Sequence, residues 1–291
     1  MTQFHSMFRQ FPPIRVAGVA ILAILLCGLV WSAYAILPYE SDWSDAYRPA
    51  ALQLLAGRSP YGLDPERPFL NAPWILIPLI PFAILPPQLG RALIFTVSFA
   101  CYAIVAIKLG AKPFALAAFL LSYPVIYGLI YGQIDGIVML GYILPPSIGL
   151  FFILAKPQIG FALAIFWLIE SWRTGRSIKV ITTLLPVTIA YTVSFKLFGN
   201  WLVQTAFPVN QMWNTSLWPQ SLPIGLVLLA LAMQQRKQAP AIAASPFLSP
   251  YLAAHSWAAV LLGLLPNSLL VTIGMASIWV VWLIGGGPVG R

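Results

Sequence analysis

The chain has 291 residues, of which 60% are hydrophobic and 8% charged, and its mean hydropathy is +0.86. Soluble domains carry about 25% charged residues, so the composition excludes an ordinary soluble protein and predicts an integral membrane protein. The net charge of +9 does not indicate a nucleic-acid partner, because the basic residues stand singly at the ends of apolar segments. That placement is typical of cytoplasmic loops that orient membrane proteins.

The first predicted element is a transmembrane helix at residues 14–37. Its apolar stretch carries no charge after Arg15, and about 22 residues at about 1.5 Å each span the hydrocarbon core. The stretch is too long for a cleaved signal peptide, and further apolar segments follow. Because Arg9 and Arg15 precede it, we predict a cytoplasmic N-terminus and an external loop at 38–72.

This predicted external loop holds five of the chain's seven Asp and Glu residues. Glu40, Asp42 and Asp45 fall within six positions, directly after the first apolar segment. A carboxylate at a membrane surface could act as a general base, and a second one could orient it or bind a cation. The alternative role is structural, because either aspartate could cap the start of a helix.

A short helix lying on the membrane surface is predicted within the same loop, because apolar side chains recur there with helical spacing. Pro49 is favoured at the start of a helix and costs about 3 kcal/mol in its interior. We therefore predict a helix at about 49–56 with Gly57 as its C-terminal stop. Asp42 and Asp45 then lie in the loop or kinked turn before it.

Broken segments are predicted in the middle of the chain. Several prolines interrupt a short apolar run at 74–86. Pro145-Pro146 separates two further pieces, each too short to cross a membrane alone, which predicts a hairpin of half-helices at 134–155. If this hairpin is re-entrant, Gln133 and Lys156 share the outer face; if the segment crosses once, Gln133 lies on the inner side. Full spans are predicted at about 91–108, 113–131, 157–169 and 180–198.

The remaining chain is predicted to continue as membrane spans. A basic cluster at 173–179 indicates a cytoplasmic loop. Residues 199–222 contain Trp201, Trp213 and Trp218 and are predicted to form an external interfacial segment, because tryptophans anchor at the headgroup level. The fold class is therefore a single all-α polytopic membrane domain with eight to ten crossings, some broken or re-entrant. The C-terminal spans are predicted at about 222–235, 239–264 and 267–284.

Candidate phosphate-binding cations lie at the edges of these segments. Lys156 begins a span, and an ionisable residue at such a place is a functional hypothesis. Its ammonium could neutralise a phosphate leaving group, and Arg48 and Arg58 of the first loop could do the same. The alternative for Lys156 is an interfacial lysine whose ammonium reaches the lipid headgroups.

Other polar and aromatic residues are candidates for substrate binding. Gln133 and Asp135 could bind substrate hydroxyls, and capping of a half-helix is the alternative for Asp135. His255 is a lone histidine in an apolar stretch, where a hydrogen-bonded structural role is commoner than chemistry. Tyr61 and Trp74 belong with Trp43 and Tyr47 to an aromatic group of the first loop, which could anchor at the interface or stack on sugar rings.

Three segments resemble a known family. The first runs from Asp42 through Ala50-Ala51 and Leu55-Ala56-Gly57 to Ser59-Pro60-Tyr61, the second from Ala72-Pro73-Trp74 to Leu85-Pro86, and the third from Gly132-Gln133 through Asp135 to Lys156-Pro157-Gln158. Over residues 14–170 the chain resembles the membrane-embedded glycosyltransferases of the GT-C superfamily. It looks most like the polyprenyl-phosphate-mannose-dependent mannosyltransferase family, GT87.

This resemblance implies an inverting sugar transfer at the external face of the cell membrane. The donor is a sugar, mannose in that family, on polyprenyl phosphate, and the acceptor is a hydroxyl of a glycan or glycolipid. Asp42 best matches the general base, with Asp45 as the second candidate, and Lys156 would contact the donor phosphate. No nucleotide, cofactor or metal is indicated. The substrate-binding candidates are Gln133, Asp135, Gln158, Tyr61, Trp74 and His255.

Two other classes compete with the enzyme. A transporter or lipid flippase would place ionisable residues near the midplane and pair broken segments in two halves. The acidic residues here lie in a predicted outer loop, and no second half of the sequence mirrors the first, which favours the enzyme. The third class is a non-catalytic membrane scaffold. A soluble nucleotide donor is disfavoured, because the chain has no glycine-rich phosphate loop.

Overall fold

The computed structural model describes residues 13–39, 41–64, 67–206 and 213–284. Every regular element in these residues is helical, which confirms the all-α prediction. Glu40 and Arg9 lie outside the described residues, as does the part of the predicted interfacial segment at 207–212.

The described chain contains fourteen α-helices, numbered here in order, with π- and 3₁₀-helical turns between them. The α-helices are α1 Pro13–Ile36, α2 Arg48–Leu55, α3 Ile80–Ala83, α4 Pro87–Lys108, α5 Pro113–Leu120, α6 Tyr123–Tyr131, α7 Asp135–Met139, α8 Pro146–Ile153, α9 Phe161–Phe198, α10 Trp201–Ala206, α11 Leu222–Gln235, α12 Gln238–Phe247, α13 Ala258–Leu264 and α14 Ser268–Ile284. The other turns are a π-turn at Trp43–Tyr47 and 3₁₀ turns at Pro73–Leu79, Leu140–Ile143, Pro157–Ile159 and Ala254–Trp257.

A few of these helices could span a membrane. In the described residues, α4 and α9 are long and apolar enough to cross, and the pair α5 and α6, bent by 51°, is a third candidate. The structure therefore supports membrane association. The eight to ten crossings, the external position of the first loop and the interfacial helix stay predictions.

The helix of the first loop begins earlier than predicted. Trp43–Tyr47 form a π-turn that leads directly into α2, and the backbone N–H of Arg48 bonds to the carbonyl oxygen of Trp43. Pro49 has no N–H to donate and its ring crowds the preceding turn, so a wider turn accommodates it. Asp45 thus lies within the π-turn and Asp42 just before it. Gly57, with φ +70, ends the helix as predicted.

The segment 134–155 folds into a hairpin of half-helices. Helix α7 and the 3₁₀ turn after it form one arm, and α8 forms the other. The arms pack at Gly141 and Gly149, where a Cβ on either glycine would lie less than 3 Å from the carbonyl oxygen of the other. The hairpin returns the chain to its starting end, because the Lys156 ammonium lies 3.2 Å from the Gln133 side-chain oxygen. This is the geometry of the re-entrant alternative.

Replacing Gly149 by alanine should destabilise the protein by about 1–3 kcal/mol, the usual cost of overpacking a close contact. The new Cβ would lie 2.6 Å from the Gly141 carbonyl oxygen and 2.7 Å from the ring of Trp167. Gly28→Ala is the matched control, because nothing lies within 4 Å of its Cβ position, and it should be neutral or gain about 0.5–1 kcal/mol. Thermal unfolding in detergent measures both. Equal stability of the two variants would contradict the hairpin packing.

Helix α9 reverses direction at Gly175 and Arg176, whose backbone angles are not helical. The side-chain oxygens of Ser171 and Thr183 are 3.1 Å apart, although twelve residues of a continuous helix would span about 18 Å. The two arms of α9 therefore lie side by side. The reversal falls in the basic cluster at 173–179, where the sequence predicts a loop.

The predicted continuous span at 239–264 is wrong. Helices α12 and α13 are separate and pack against each other, and a Cβ on Gly263 would lie 2.6 Å from both the Ala239 carbonyl oxygen and the Ala243 Cβ. The chain breaks after two Ser-Pro pairs, Ser245-Pro246 and Ser249-Pro250, since proline cannot continue the helical bonding. The segment is thus a second broken hairpin, and the break carries His255.

The prediction that Trp201 anchors at the membrane interface is also wrong. Its indole is 2% exposed and stacks on the rings of Tyr61, Tyr191 and Phe195, with centroids 5.7–5.9 Å apart. Trp74 packs edge-on against the same group. Trp201 therefore stabilises the core that supports the first loop. Trp213 and Trp218 are exposed, at 41% and 46%.

Candidate functional site

The site forms where the first loop meets the end of α6. Gly132 ends α6 with φ +70, and a Cβ there would lie 2.7 Å from the Cβ of Trp43. Only glycine permits both this backbone conformation and this close approach. The result is that Gln133, the next residue, contacts Asp42 of the first loop.

Gln133 connects three functional side chains. Its amide Nε2 donates a hydrogen bond to Asp42 Oδ2. Its Oε1 accepts one from the Tyr47 hydroxyl at 2.9 Å and another from Lys156 Nζ at 3.2 Å. This orientation of the carboxamide is the only one that matches one acceptor and two donors. The carboxylate of Asp42 and the ammonium of Lys156 therefore lie on the two sides of one side chain.

Asp135 holds two further groups of the site together. Its Oδ1 forms an ion pair with Lys156 Nζ at 2.8 Å, and its Oδ2 pairs with His255 Nδ1. His255 comes from the break between α12 and α13, whereas Asp135 and Lys156 stand at the two ends of the first hairpin. The three side chains thus join the two broken hairpins.

These ionisable groups are buried. Asp135 is 0% exposed, and Lys156 and His255 are each 4% exposed. Taking such groups out of water is costly unless they are paired, and the pairing above supplies that compensation. Asp42 is half-buried, and its burial raises the pKa of its carboxyl above the ordinary 3.8, against the lowering effect of His255 and of the Gln133 hydrogen bond.

The structure also tests the non-catalytic roles that the sequence suggests for Asp42, Asp135, Lys156 and His255. No side-chain capping bond is made at Asp42, and Asp135 is the first residue of α7 without capping it. Lys156 is not an exposed interfacial lysine, because its ammonium is buried with Asp135. His255 is hydrogen-bonded within the core, as expected of a structural histidine. Its partner, however, is the same carboxylate that binds Lys156.

Several predicted residues lie outside this network. Asp45 pairs with Arg67 at the surface, with side chains 22% and 48% exposed, so the structure separates it from Asp42. Arg48 is half-buried and Arg58 is exposed beyond the end of α2. Gln158 is half-buried in the 3₁₀ turn after Lys156. None of the contacts described for these residues reaches Gln133 or Lys156.

Tyr61 and Trp74 are buried aromatic residues that contact the elements around the site. The Tyr61 hydroxyl donates to the Asn71 carbonyl oxygen at 3.0 Å, and the Asn71 amide donates to the Tyr47 hydroxyl at 3.3 Å. Trp74 Nε1 donates to the Phe151 carbonyl oxygen at 2.8 Å. Both rings are buried, at 7% and 5% exposure. Their role in stacking on a substrate sugar stays a prediction.

Sequence reasoning missed two polar residues at the site. Asn71 connects Tyr61 to Tyr47, as described above. Arg91 of α4 is 1% exposed, and its Nη2 donates to the carbonyl oxygens of Leu129 and Ile130 at the end of α6. Its Nε and Nη1 have no hydrogen-bond partner among the described residues. The sequence does contain a signal for Arg91, because a single arginine stands one turn into a mostly apolar helix.

Metal ligands are not clustered in the described part of the chain, where no group of three or more His, Cys, Asp and Glu side chains could hold an ion.

No protein-family model, no curated protein and no solved structure matches the chain. The fold and the site define an all-helical protein with apolar helices that could span a membrane and a buried ionic network at the ends of those helices.

Proposed function

We propose that the protein is an inverting glycosyltransferase that moves a sugar, mannose by the family resemblance, from polyprenyl phosphate to an acceptor hydroxyl. The observation that carries the proposal is the bridge by Gln133, which holds Asp42 on one side and Lys156 on the other. Sugar transfer releases a proton from the nucleophile and develops a negative charge on the leaving phosphate. A carboxylate can take the proton and an ammonium can stabilise the negative charge, and here the two lie on opposite sides of one glutamine side chain.

Asp42 is the general base of this reaction. The acceptor oxygen attacks the anomeric carbon and gives its proton to the Asp42 carboxylate, while the bond from that carbon to the phosphate oxygen breaks. The lipid phosphate leaves with the bonding electrons, and because the acceptor attacks from the face opposite to it, the configuration inverts. Burial raises the pKa of Asp42, and a higher pKa makes a carboxylate a stronger base.

Lys156 stabilises the leaving phosphate. Its ammonium is fixed between Asp135 Oδ1 and Gln133 Oε1, so little reorganisation is needed as charge develops on the phosphate oxygen. Asp135 is a positioning residue in this scheme, and His255 in turn holds Asp135. Arg48 and Arg58 stay candidates for contacts to the same phosphate from α2 and its C-terminal turn.

The lipid donor accounts for the position of the site in a membrane protein. A polyprenyl phosphate moves in the bilayer plane, and the network lies where α1, α4 and α6 have their ends beside the first loop. We place this end at the external face of the cell membrane, with a cytoplasmic N-terminus. Acceptors would be glycans or glycolipids reaching the same face.

Transport of a small molecule or lipid is the second candidate function. The second broken hairpin at 238–264 supports it, because paired broken helices that meet at buried ionisable groups are a transporter arrangement. The sequence shows no second half that mirrors the first, but the C-terminal half does contain one broken hairpin. The enzyme remains the better proposal, since a transporter gives no role to the Asp42 carboxylate in the first loop.

The test uses the full chain in lipid nanodiscs with radiolabelled mannose on polyprenyl phosphate, and octyl mannoside and a membrane lipid extract as acceptors. We expect labelled product from the lipid donor and none from GDP-mannose in a parallel reaction. Absence of product from the lipid donor with both acceptors would overturn the proposal. Label that crosses liposomes containing the protein without chemical change would favour transport.

A further inference from the structure

The break between α12 and α13 is held by a distant part of the chain. The Ser-Pro pairs end α12, so residues 249–253 belong to no helix. Leu252 in this stretch is 0% exposed, and a buried backbone N–H and carbonyl oxygen need hydrogen-bond partners. Both partners come from residues 213–221, which lie between α10 and α11 and are called here the 213–221 loop.

Asn214 of this loop bonds to two residues of the break. Its side-chain amide donates to the Pro250 carbonyl oxygen at 3.1 Å, and its side-chain oxygen accepts from the Leu252 N–H at 3.0 Å. The same oxygen accepts from the Ser216 N–H at 3.0 Å. One acceptor facing two N–H groups and one donor facing a carbonyl oxygen fix the orientation of the carboxamide. Asn214 therefore supplies bonds that the interrupted helix cannot.

Thr215 contacts the chain on both sides of His255. Its backbone N–H and its hydroxyl donate to the Leu252 carbonyl oxygen, at 2.7 and 2.9 Å. The same hydroxyl accepts from Trp257 Nε1 at 3.0 Å. Leu252 lies three residues before His255 and Trp257 lies two residues after it. One hydroxyl therefore bridges the two ends of the turn that carries the imidazole.

His255 reaches the ionic network from this turn. Its Nδ1 bonds to Asp135 Oδ2, and Asp135 Oδ1 pairs with Lys156 Nζ at 2.8 Å. A carboxylate only accepts hydrogen bonds, so Nδ1 carries the proton of its bond to Asp135. The 213–221 loop is thus connected to the Lys156 ammonium through a single turn and two side chains.

We propose that Thr215, together with Asn214, is a positioning residue of the site: it fixes the turn that directs His255 to Asp135 and thereby keeps the Lys156 ammonium in place. The expected effect on sugar transfer rests on the proposed function. The expected effect on the bond between His255 and Asp135 does not, so the two are measured separately.

NMR of the full chain in detergent, with isotopic label in histidine alone, reports on the His255 bond. The chain has two histidines, and His5→Gln removes the other signal. We expect a low-field Nδ1–H signal, because a buried hydrogen bond to a carboxylate is short and strong. Thr215→Val keeps the shape of the side chain but removes the hydroxyl, and this signal should broaden beyond detection. Thr215→Ser, which keeps the hydroxyl, should restore it.

Transfer kinetics test the connection to Lys156. Thr215→Val should lower kcat about 10–100-fold, the usual cost of a misplaced catalytic group, with a smaller change in KM for the acceptor, and Thr215→Ser should recover most of the rate. Thr192→Val is the matched control, because its hydroxyl donates to the Thr188 carbonyl oxygen within α9. This control should leave the rate and the Nδ1–H signal as in the wild type.

The outcomes separate the positioning role from the proposed function. Absence of the Nδ1–H signal in the wild type, its full retention in folded Thr215→Val, or its loss in Thr192→Val would overturn the positioning role. If thermal unfolding shows Thr215→Val misfolded, Asn214→Ala replaces it with the same expectations. Loss of the signal in a chain that transfers no sugar would leave the positioning of His255 and remove the proposed function. Loss of the signal with an unchanged kcat would overturn the connection to Lys156.

Discussion

Asp42→Asn should reduce sugar transfer by about 10²–10⁴-fold, the usual contribution of a general base. The asparagine keeps the size of the side chain and can still accept a hydrogen bond from Gln133 Nε2, but it cannot take the acceptor proton. The measurement is the initial rate of transfer from polyprenyl-phosphate mannose, with the amount of folded protein normalised by size-exclusion chromatography.

Asp45→Asn is the matched control, because this neighbouring carboxylate pairs with Arg67 at the surface. Exposed ion pairs contribute about 0–1 kcal/mol, so we expect near-normal activity and stability. Unchanged transfer in Asp42→Asn, or an equal loss in both variants, would remove Asp42 as the base.

The pH profile gives the same residue a second readout. The base must be unprotonated, and burial raises its pKa above the ordinary 3.8. Transfer should therefore fall as the pH drops through that raised pKa, and the acid limb of kcat/KM should lie above pH 3.8 in both the wild type and Asp45→Asn. A midpoint at or below 3.8 would argue against a buried base.

Asp135→Asn should destabilise the protein by about 3–5 kcal/mol, the typical cost of leaving a buried charge without its partner. The change removes the counter-charge of Lys156 and weakens the bond to His255, both in the protein interior. Chemical or thermal denaturation in detergent, followed by circular dichroism, measures the loss.

Glu170→Gln is the control for this second prediction. Its pair with Arg173 is 36% and 22% exposed, against 5% and 0% for the buried pair, so its loss should cost about 0–1 kcal/mol. Adding Lys156→Met to Asp135→Asn should recover part of the stability, because the uncompensated charge is then gone. If Asp135→Asn is as mild as Glu170→Gln, the buried network does not stabilise the fold.

Local signals in the sequence were enough to predict much of the fold. Proline and glycine positions gave the first-loop helix with its stop at Gly57 and the hairpin split at Pro145-Pro146, because these residues act on the backbone within a few positions.

Long-range contacts could not be predicted from such signals. The pair of Asp135 and His255 joins residues 120 positions apart, and no spacing rule connects them. Arg91 shows the same limit, because its unpaired donors depend on how α4 packs against α6. At 239–264 the high hydropathy predicts one continuous span, whereas the two Ser-Pro pairs break the segment into two helices. Residue type alone predicts an interfacial Trp201, whereas its burial depends on ring partners from α9 and the first loop.

The hairpin at 134–155 has a consequence for how the chain could have diverged. Its two ends meet at one point of the molecule, through Gln133 and Lys156, so its length can change without reversing the direction of any later helix. Insertions or deletions at Pro145-Pro146 would alter only the far tip, which the site does not touch. Relatives of this protein can therefore differ in size at this tip while keeping the same ionic network and the same order of helices.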